Sequence, residues 1–343
     1  MQAEQNKATY QFINYLRVLA MALVAWPHLV ANMNPTWPVL HFVQWCINRP
    51  LHLIQDFGAL GVSLFFIISG FLAAENTETG VRYLKRKILR IYFPVLFSML
   101  SFWVFIKLLE YLNYISYWSQ FSAKEWLFSA TLWNYLKGYP DVVNGVLWYL
   151  VPQFIFFAEL SVWKTIKSKF GFVQTICILT PVLYVADWFI NIPHSLMTQF
   201  HYALIPLIGY AVRTAKLPAQ PIKWLGLIYI EIIYGFWKYQ QELFESNSYI
   251  CSVVVALFIF VIFSRSVNSF HENYIVNRLS MISYSFYLTH SLYGCFLITL
   301  LSQLNFAWIF SLCIGIIGAL IAAYLNYRYI EMPISKLHFI LHK

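Results

Sequence analysis

The chain has 343 residues, of which 60% are hydrophobic, 20% are aromatic and only 11% are Asp, Glu, Lys or Arg. Soluble domains carry roughly 25% charged residues, so this composition, with a mean hydropathy of +0.62, excludes a globular domain with a single anchor and predicts a polytopic membrane protein. The net charge of +9 does not indicate a nucleic-acid partner, because the cations form short clusters between apolar runs, as membrane topology requires.

The five cysteines show no metal-binding or disulfide spacing, so we expect no metal site. The N-terminus lacks a signal-peptide cleavage pattern, and the first apolar segment is long enough to remain as a span. The sequence shows no internal repeat and no separate soluble segment. We therefore expect residues 1–343 to form a single membrane domain.

Apolar segments of about 20 residues divide the chain into about ten predicted transmembrane helices, with both termini cytoplasmic. They cover residues 12–32, 57–74, 88–109, 145–163, 172–190, 200–212, 223–237, 249–264, 280–301 and 306–327. This topology places 18 of the 23 Lys and Arg on the inner side, and the exceptions are Arg49, Lys107, Lys124, Lys137 and Lys238. Such a bias is typical of an oriented membrane protein. The predicted fold is therefore an all-α integral membrane protein with two long outer connections, 33–56 and 110–144, the second holding an interfacial or re-entrant segment at 125–136.

The first predicted helix contains two ionisable side chains, Arg17 and His28, within the stretch YLRVLAMALVAWPHLV. At 100° per residue, eleven residues complete three turns plus about 20°, so both side chains lie on nearly the same face, roughly 16 Å apart along the axis. A snorkelling interfacial cation explains Arg17 alone, and a hydrogen bond to a neighbouring helix explains His28 alone. Their shared face favours one polar cavity that runs most of the way across the bilayer.

The second and third predicted helices contribute a packing motif and a cationic cluster. The stretch GALGVSLFFIISGFL, residues 58–72, contains glycines that allow close helix packing, and Ser69 can bond across helices. In VRYLKRKILRIYFP, residues 81–94, the side chains of Arg86, Lys87 and Arg90 can present one cationic face. Topology signalling or lipid head-group binding explains this cluster as well as a docking site for a phosphate-bearing cytoplasmic ligand does.

Three later segments place polar or aromatic side chains in or beside predicted helices. Trp148 opens the fourth helix and is expected at the interface or in a cavity. Ser283, Tyr287 and His290 form a polar stripe on the ninth helix, which favours a wet interior. Glu331 follows the last helix, where a structural salt bridge is its expected role.

In this order, the motifs resemble those of the acyltransferase-3 family of integral membrane acyltransferases, which O-acetylate bacterial surface polysaccharides. The resemblance covers nearly the whole chain and rests on the Arg17 to His28 spacing, the helix at 58–72, the basic stretch at 86–94, Leu147-Trp148, the SYSFYLTH segment at 283–290 and Glu331-Met332-Pro333. One position departs from the family pattern. Lys87 stands where an arginine is usual, and lysine binds phosphate without the bidentate fork of arginine.

The resemblance implies a bacterial inner-membrane enzyme that transfers an acyl group, expected to be acetyl, from cytoplasmic acyl-CoA to a hydroxyl of a lipid-linked or nascent glycan. Acetyl-CoA is then a co-substrate, not a permanently bound cofactor. Its phosphates would meet Arg17, Arg86, Lys87 and Arg90, and His28 would act as general base. The expected cavity or support residues are Ser69, Trp148, His290 and Glu331.

Several alternatives remain open at this stage. A covalent acyl-His28 relay is an alternative to direct transfer. A proton-coupled transporter of a small anionic or sugar substrate is the competing class, although transporters commonly show two related halves and the sequence shows none. A lipid-binding scaffold explains the basic cluster but not the face shared by Arg17 and His28. The acceptor sugar, the oligomeric state and the group that orients His28 also stay open, with Asp56 and Ser69 as candidates by membrane depth alone.

Overall fold

The computed structural model describes residues 2–54, 56–78, 80–137, 142–166, 170–214, 219–239 and 246–340. Side chains are described in these ranges except at 2–10, 219–222, 246–248 and 337–340. Lys167, Lys169, Lys216 and Lys343, which contribute to the predicted charge bias, lie outside the described residues. All regular elements in the described part are helical, so the all-α prediction is confirmed there.

The α-helices follow one another along the chain as α1 Gln2–Trp26, α2 Pro38–Val43, α3 Gly58–Ala74, α4 Gly80–Tyr111, α5 Ala123–Ala130, α6 Trp133–Lys137, α7 Leu150–Ile166, α8 Phe172–Ile190, α9 His194–Tyr202, α10 Ile205–Thr214, α11 Ala219–Lys238, α12 Ser246–Arg265, α13 Tyr274–Thr289, α14 Cys295–Gln303, α15 Trp308–Asn326 and α16 Met332–Ile340. Between them lie the π-helical turns Pro27–Ala31, Gln44–Asn48, His290–Gly294 and Tyr327–Glu331. The 3₁₀ turns are Tyr117–Gln120, Gly145–Tyr149 and Val267–Ser269.

Six helical segments of the described chain are long and apolar enough to cross a membrane. They are Gln11–Ala31, Gly80–Tyr111, Gly145–Ile166, Phe172–Ile190, Tyr274–Gln303 and Trp308–Lys336, and two shorter apolar helices are Gly58–Ala74 and Tyr249–Arg265. The span predicted at 200–212 is divided between α9 and α10, which are separated at Ala203–Leu204. The protein is therefore a membrane protein with several apolar helices, while the count of ten and the cytoplasmic position of both termini stay predictions.

The contacts divide the chain into two compact units, each built from separated segments. Unit 1 comprises Met1–Val24, His41–Leu84 and Pro152–Ser280, and unit 2 comprises Ala25–Leu40, Lys85–Val151 and Met281–Lys343. The boundary falls inside α1, α2, α4, α7 and α13. Each unit thus gathers pieces of the chain that are far apart in the sequence.

In unit 1, α3 and α10 pack with their backbones in contact. A methyl group added at Gly70 would coincide with the carbonyl oxygen of Pro206, and one added at Gly209 would coincide with the carbonyl oxygen of Ile67. Only hydrogen at these two positions allows the approach, which confirms the close packing predicted from the glycines of α3. Beside this contact the rings of Phe12, Phe71 and Phe260 pack edge to face, with centroids 5.3–6.0 Å apart.

In unit 2, the π turn His290–Gly294 packs against α15 and α14. Gly315 faces Gly294. A methyl group added at Gly315 would lie 3.0 Å from the Gly294 carbonyl oxygen. Thr289 Oγ1 donates to the carbonyl oxygen of Ala319 over 3.3 Å. Because both faces are tight, the turn that carries His290 is held in a fixed position within unit 2.

Candidate active site

His28 lies on a π turn that begins one residue earlier, at Pro27. Pro27 has no backbone N–H, so the ordinary bond of an α-helix cannot form at this position. Within the turn, Asn32 N donates to the Pro27 carbonyl oxygen, five residues earlier, over 2.9 Å, which is the hydrogen-bond pattern of a π-helix. Such π turns are rare and frequently occur at functional sites. The turn leaves the His28 side chain half-buried.

His290 opens a second π turn and is almost completely buried, with 1% of its surface exposed. Its Nδ1 lies 3.0 Å from the carbonyl oxygen of Phe286. A carbonyl oxygen only accepts, so Nδ1 carries the hydrogen, and in the neutral ring Nε2 is left as an acceptor. Nε2 is buried and has no hydrogen-bond partner among the described residues. The ring also stacks on Phe286, at 5.5 Å and an interplanar angle of 13°.

The two imidazoles meet in unit 2. Their ring centroids are 5.3 Å apart, with the planes inclined at 60°. The turns that carry them are in contact, since Cys295 Sγ donates to the His28 carbonyl oxygen over 3.5 Å. A methyl group at Gly294 would lie 2.7 Å from Leu29 Cδ2, so this close approach depends on glycine. The structure thus brings together the predicted general base and one of the predicted support residues.

The segment around Leu147-Trp148 is attached to α13 by hydrogen bonds at Tyr287 and at the next residue, Leu288. The Tyr287 hydroxyl donates to the carbonyl oxygen of Val146, and Asn144 Nδ2 donates to the carbonyl oxygen of Leu288 over 3.1 Å. The ring of Tyr287 also lies 6.1 Å from that of His290. Trp148, which is half-buried, is held in unit 2 by this attachment.

A second set of contacts joins the basic stretch of α4 to α13 and to the end of the chain. Arg90 Nη2 lies 3.9 Å from Glu331 Oε1, and Ser285 Oγ donates to Glu331 Oε2 over 2.9 Å. The Tyr284 hydroxyl donates to the Ile91 carbonyl oxygen over 2.7 Å. The ion pair expected of Glu331 is therefore present, and its partner is one of the predicted donor-binding cations.

The remaining predicted site residues divide between the units. Arg86 and Lys87 lie in unit 2 with half-buried side chains, and Arg17 and Ser69 lie in unit 1, also half-buried. Asp56, one candidate for orienting His28, accepts hydrogen bonds from two side chains of unit 1, Gln44 and Asn48. In the part of the chain that the structure describes, no three His, Cys, Asp or Glu side chains are arranged to hold a metal ion.

Asn144 is a residue of this site that we did not predict. It is fully buried, its side chain caps the turn at Gly145–Tyr149, and its carbonyl oxygen accepts from the Tyr135 hydroxyl over 2.6 Å. An asparagine directly before an apolar helical run is a recognised N-cap signal. That signal predicts the start of the turn, but it does not show that the same amide reaches α13.

A comparison with known protein families matches residues 10–328 to the family described as an acyltransferase domain. The chain belongs to the acyltransferase-3 family. The match includes segments of both units and ends three residues before Glu331. Searches among curated proteins and among solved structures found no match. Family membership, together with the long apolar helices, identifies the protein as a membrane acyltransferase.

Proposed function

We propose that this acyltransferase moves an acetyl group from cytoplasmic acetyl-CoA to a hydroxyl of an exported or cell-surface glycan, in a bacterial inner membrane. The observation that carries the proposal is the imidazole pair of His28 and His290, with centroids 5.3 Å apart, in a member of an acyltransferase family. Neutral imidazole is the side chain best suited to accept a proton from a hydroxyl near neutral pH.

In the proposed reaction, His28 removes the proton of the acceptor hydroxyl while the hydroxyl oxygen attacks the thioester carbonyl carbon. The new C–O bond forms, the C–S bond breaks, and the proton passes from His28 to the departing thiolate. The products are the acetylated glycan and coenzyme A with a free thiol. A covalent acyl-His28 intermediate is the alternative route, and it predicts that acylated enzyme accumulates when the acceptor is left out.

We assign His290 as a positioning residue for His28. Its Nδ1–H is engaged by the Phe286 carbonyl oxygen, so the orientation of its ring is fixed. The Nε2 lone pair then remains available on a ring that contacts His28. A neighbouring acceptor stabilises the positive charge that His28 acquires when it takes the proton.

In this proposal the donor is bound through its phosphates by three cations of unit 2, Arg86, Lys87 and Arg90. The donor-binding role expected of Arg17, which lies in unit 1, stays a prediction. The position of Arg90 supports the donor-binding role of the unit 2 cations. Its guanidinium lies beside Glu331, but 54% of its side chain is exposed and is accessible to a ligand. Arginine can bind phosphate with two parallel N–H bonds, whereas Lys87 acts as a point charge. Glu331 orients Arg90, and Ser285 in turn holds Glu331.

The direct test is incubation of the purified protein with labelled acetyl-CoA and candidate glycans. Label transfer by the wild type, lost in His28→Ala, supports the enzyme. If the wild type neither binds acetyl-CoA nor transfers label, the proposed function is wrong. The same preparation in vesicles then tests the competing transporter class by counterflow of labelled sugars or small anions.

Replacing the arginines proposed to bind the donor should weaken the binding of acetyl-CoA, and it should not affect the reaction with a donor that lacks phosphates. We expect Arg86→Gln and Arg90→Gln each to raise the KM for acetyl-CoA by roughly tenfold, since a hydrogen bond to a charged group contributes about 1.5–3 kcal/mol. Turnover with acetyl-pantetheine, which has no phosphate, should not change. Arg328→Gln, at an exposed guanidinium on the same predicted side, is the matched control. Equal losses with both donors would show damage to the fold instead of lost phosphate contacts.

His290→Asn should lower kcat with little change in KM for either substrate. Asparagine keeps an N–H for the Phe286 carbonyl oxygen but removes the second imidazole. We expect kcat to fall about tenfold, which corresponds to one lost contact with a charged group. Initial rates and the thermal unfolding midpoint are measured together, with the exposed His194→Asn as control. An unchanged kcat, or a loss that follows the folded fraction, would contradict the positioning role.

A further inference from the structure

The π turn Pro27–Ala31 takes from the proposed base the usual partner of its backbone carbonyl oxygen. In an α-helix the N–H of Asn32 would donate to the carbonyl oxygen of His28, four residues earlier. Here it donates to the carbonyl oxygen of Pro27 over 2.9 Å. Pro27 and Leu29, on either side of His28, are buried, and buried backbone carbonyl groups are nearly always paired. The His28 carbonyl oxygen therefore requires a donor from another element.

The thiol of Cys295 supplies this donor. Its Sγ lies 3.5 Å from the His28 carbonyl oxygen, and because a carbonyl oxygen only accepts, the thiol donates. A thiol is a weak donor, but only 7% of Cys295 is exposed, so little water competes for the bond. Both residues belong to unit 2. The bond thus joins the first residue of α14 to the backbone of the proposed base.

The second π turn, His290–Gly294, brings Cys295 to this place. It ends at Cys295, whose own N–H donates to the carbonyl oxygen of His290, five residues earlier. Such a turn holds one residue more than a turn of α-helix, and one residue rotates the helix that follows by about 100°. Had α13 continued into α14 without it, Cys295 would lie on another face. The extra residue therefore decides which side chain meets His28.

Two neighbouring contacts fix the same register between α14 and the segment that follows the proposed base. A methyl group at Gly294 would lie 2.7 Å from Leu29 Cδ2, so the backbones approach closely there. Thr299 Oγ1 lies 4.0 Å from Met33 Sδ. Thr299 follows Cys295 by four residues, so both project from one face of α14. The bond from Cys295 is the one of the three contacts that reaches the base itself.

We infer that Cys295 is a positioning residue for His28. The inference rests on the proposed function and deepens it. The thiol holds the backbone of His28, and with it the direction in which the imidazole leaves the turn, at a centroid distance of 5.3 Å from His290. A displacement of about 1 Å at a reacting group can cost roughly 10²-fold in rate. A buried cysteine that acts only as a small apolar side chain would have no such effect.

The test compares label transfer from acetyl-CoA in the wild type and in Cys295→Ala. We expect kcat to fall roughly three- to tenfold, as for one lost hydrogen bond, while KM for both substrates stays unchanged. A positioning residue acts only through the group that it positions. Adding Cys295→Ala to His28→Ala should therefore cause no further loss of turnover. The matched control is Cys177→Ala, which removes a buried thiol from α8 in unit 1 and should keep the wild-type kcat.

A spectroscopic readout follows the bond without any turnover. The infrared difference between wild type and Cys295→Ala isolates the S–H stretching band of Cys295. We expect this band at a lower frequency than that of ethanethiol in hexane, where the thiol has no acceptor.

An unchanged kcat in Cys295→Ala would overturn the inference. So would a further loss in the His28→Ala background, or a loss that follows the folded fraction. An S–H band at the frequency of the free thiol in an active wild type would reject only the role of Cys295. A bonded S–H in a wild type that transfers no label would instead reject the proposed function and leave the contact that holds the His28 turn standing.

Discussion

His28→Ala is expected to lower the turnover of this acyltransferase by about 10²–10⁴-fold, which is the usual contribution of a well-placed general base. The acceptor hydroxyl would then lack the base that takes its proton in the proposed reaction, and His290 could not move into the place of His28, because its ring is fixed by the hydrogen bond from Nδ1 to the Phe286 carbonyl oxygen. Binding of acetyl-CoA should be unchanged, since no donor-binding cation is altered. The measurement is the rate of label transfer from acetyl-CoA, with donor binding followed separately by equilibrium methods.

The control for this variant is His41→Ala, which removes an exposed imidazole from the connection 33–56. Its turnover and thermal unfolding midpoint should match those of the wild type. If His28→Ala kept its turnover, His28 would not be the base. Acylated enzyme that accumulates without acceptor in the wild type and is absent in His28→Ala would instead favour the covalent relay.

Gly70→Ala is expected to prevent correct folding of unit 1. The added methyl group would occupy the place of the Pro206 carbonyl oxygen and would lie 3.1 Å from the Tyr210 backbone nitrogen. Overpacking of a core usually costs about 1–3 kcal/mol, and we expect more than about 3 kcal/mol here because backbone atoms cannot rotate away. The readouts are the yield of monodisperse protein after size exclusion and the thermal unfolding midpoint in detergent.

The matched control is Gly226→Ala in α11, where an added methyl group meets nothing within 4 Å. Replacing a helical glycine by alanine without strain stabilises a protein by roughly 0.4–1 kcal/mol, so this variant should unfold slightly later than the wild type. Gly209→Ala, which meets the Ile67 carbonyl oxygen from the other side of the same contact, should fail as Gly70→Ala does. A well-folded Gly70→Ala protein would show that α3 and α10 do not pack as described.

Local patterns in the sequence were sufficient for the helical class, the approximate bounds of the apolar helices and the close packing of α3. Each of these depends on residues that are neighbours along the chain: hydropathy over about 20 positions, or glycines at helical spacing. The family could also be predicted, because its motifs occur in a set order. By contrast, the division of residues 200–212 between α9 and α10 could not be predicted from hydropathy. The helix breaks at Ala203–Leu204, and both residues are as apolar as their neighbours.

The sequence by itself determined which side chains are the candidates for the chemistry, namely His28 as the base, His290 as a support residue and the cations of α4 as donor ligands. Only the tertiary structure decided that His28 lies against His290 and that Arg90 lies beside Glu331. The physical reason is that these contacts join distant positions, such as Cys295 and His28, which are 267 residues apart. Their register is set by π turns at Pro27 and His290 and by the absence of a side chain at Gly294. The periodicity of the sequence along one helix does not show which turn of another helix packs against it.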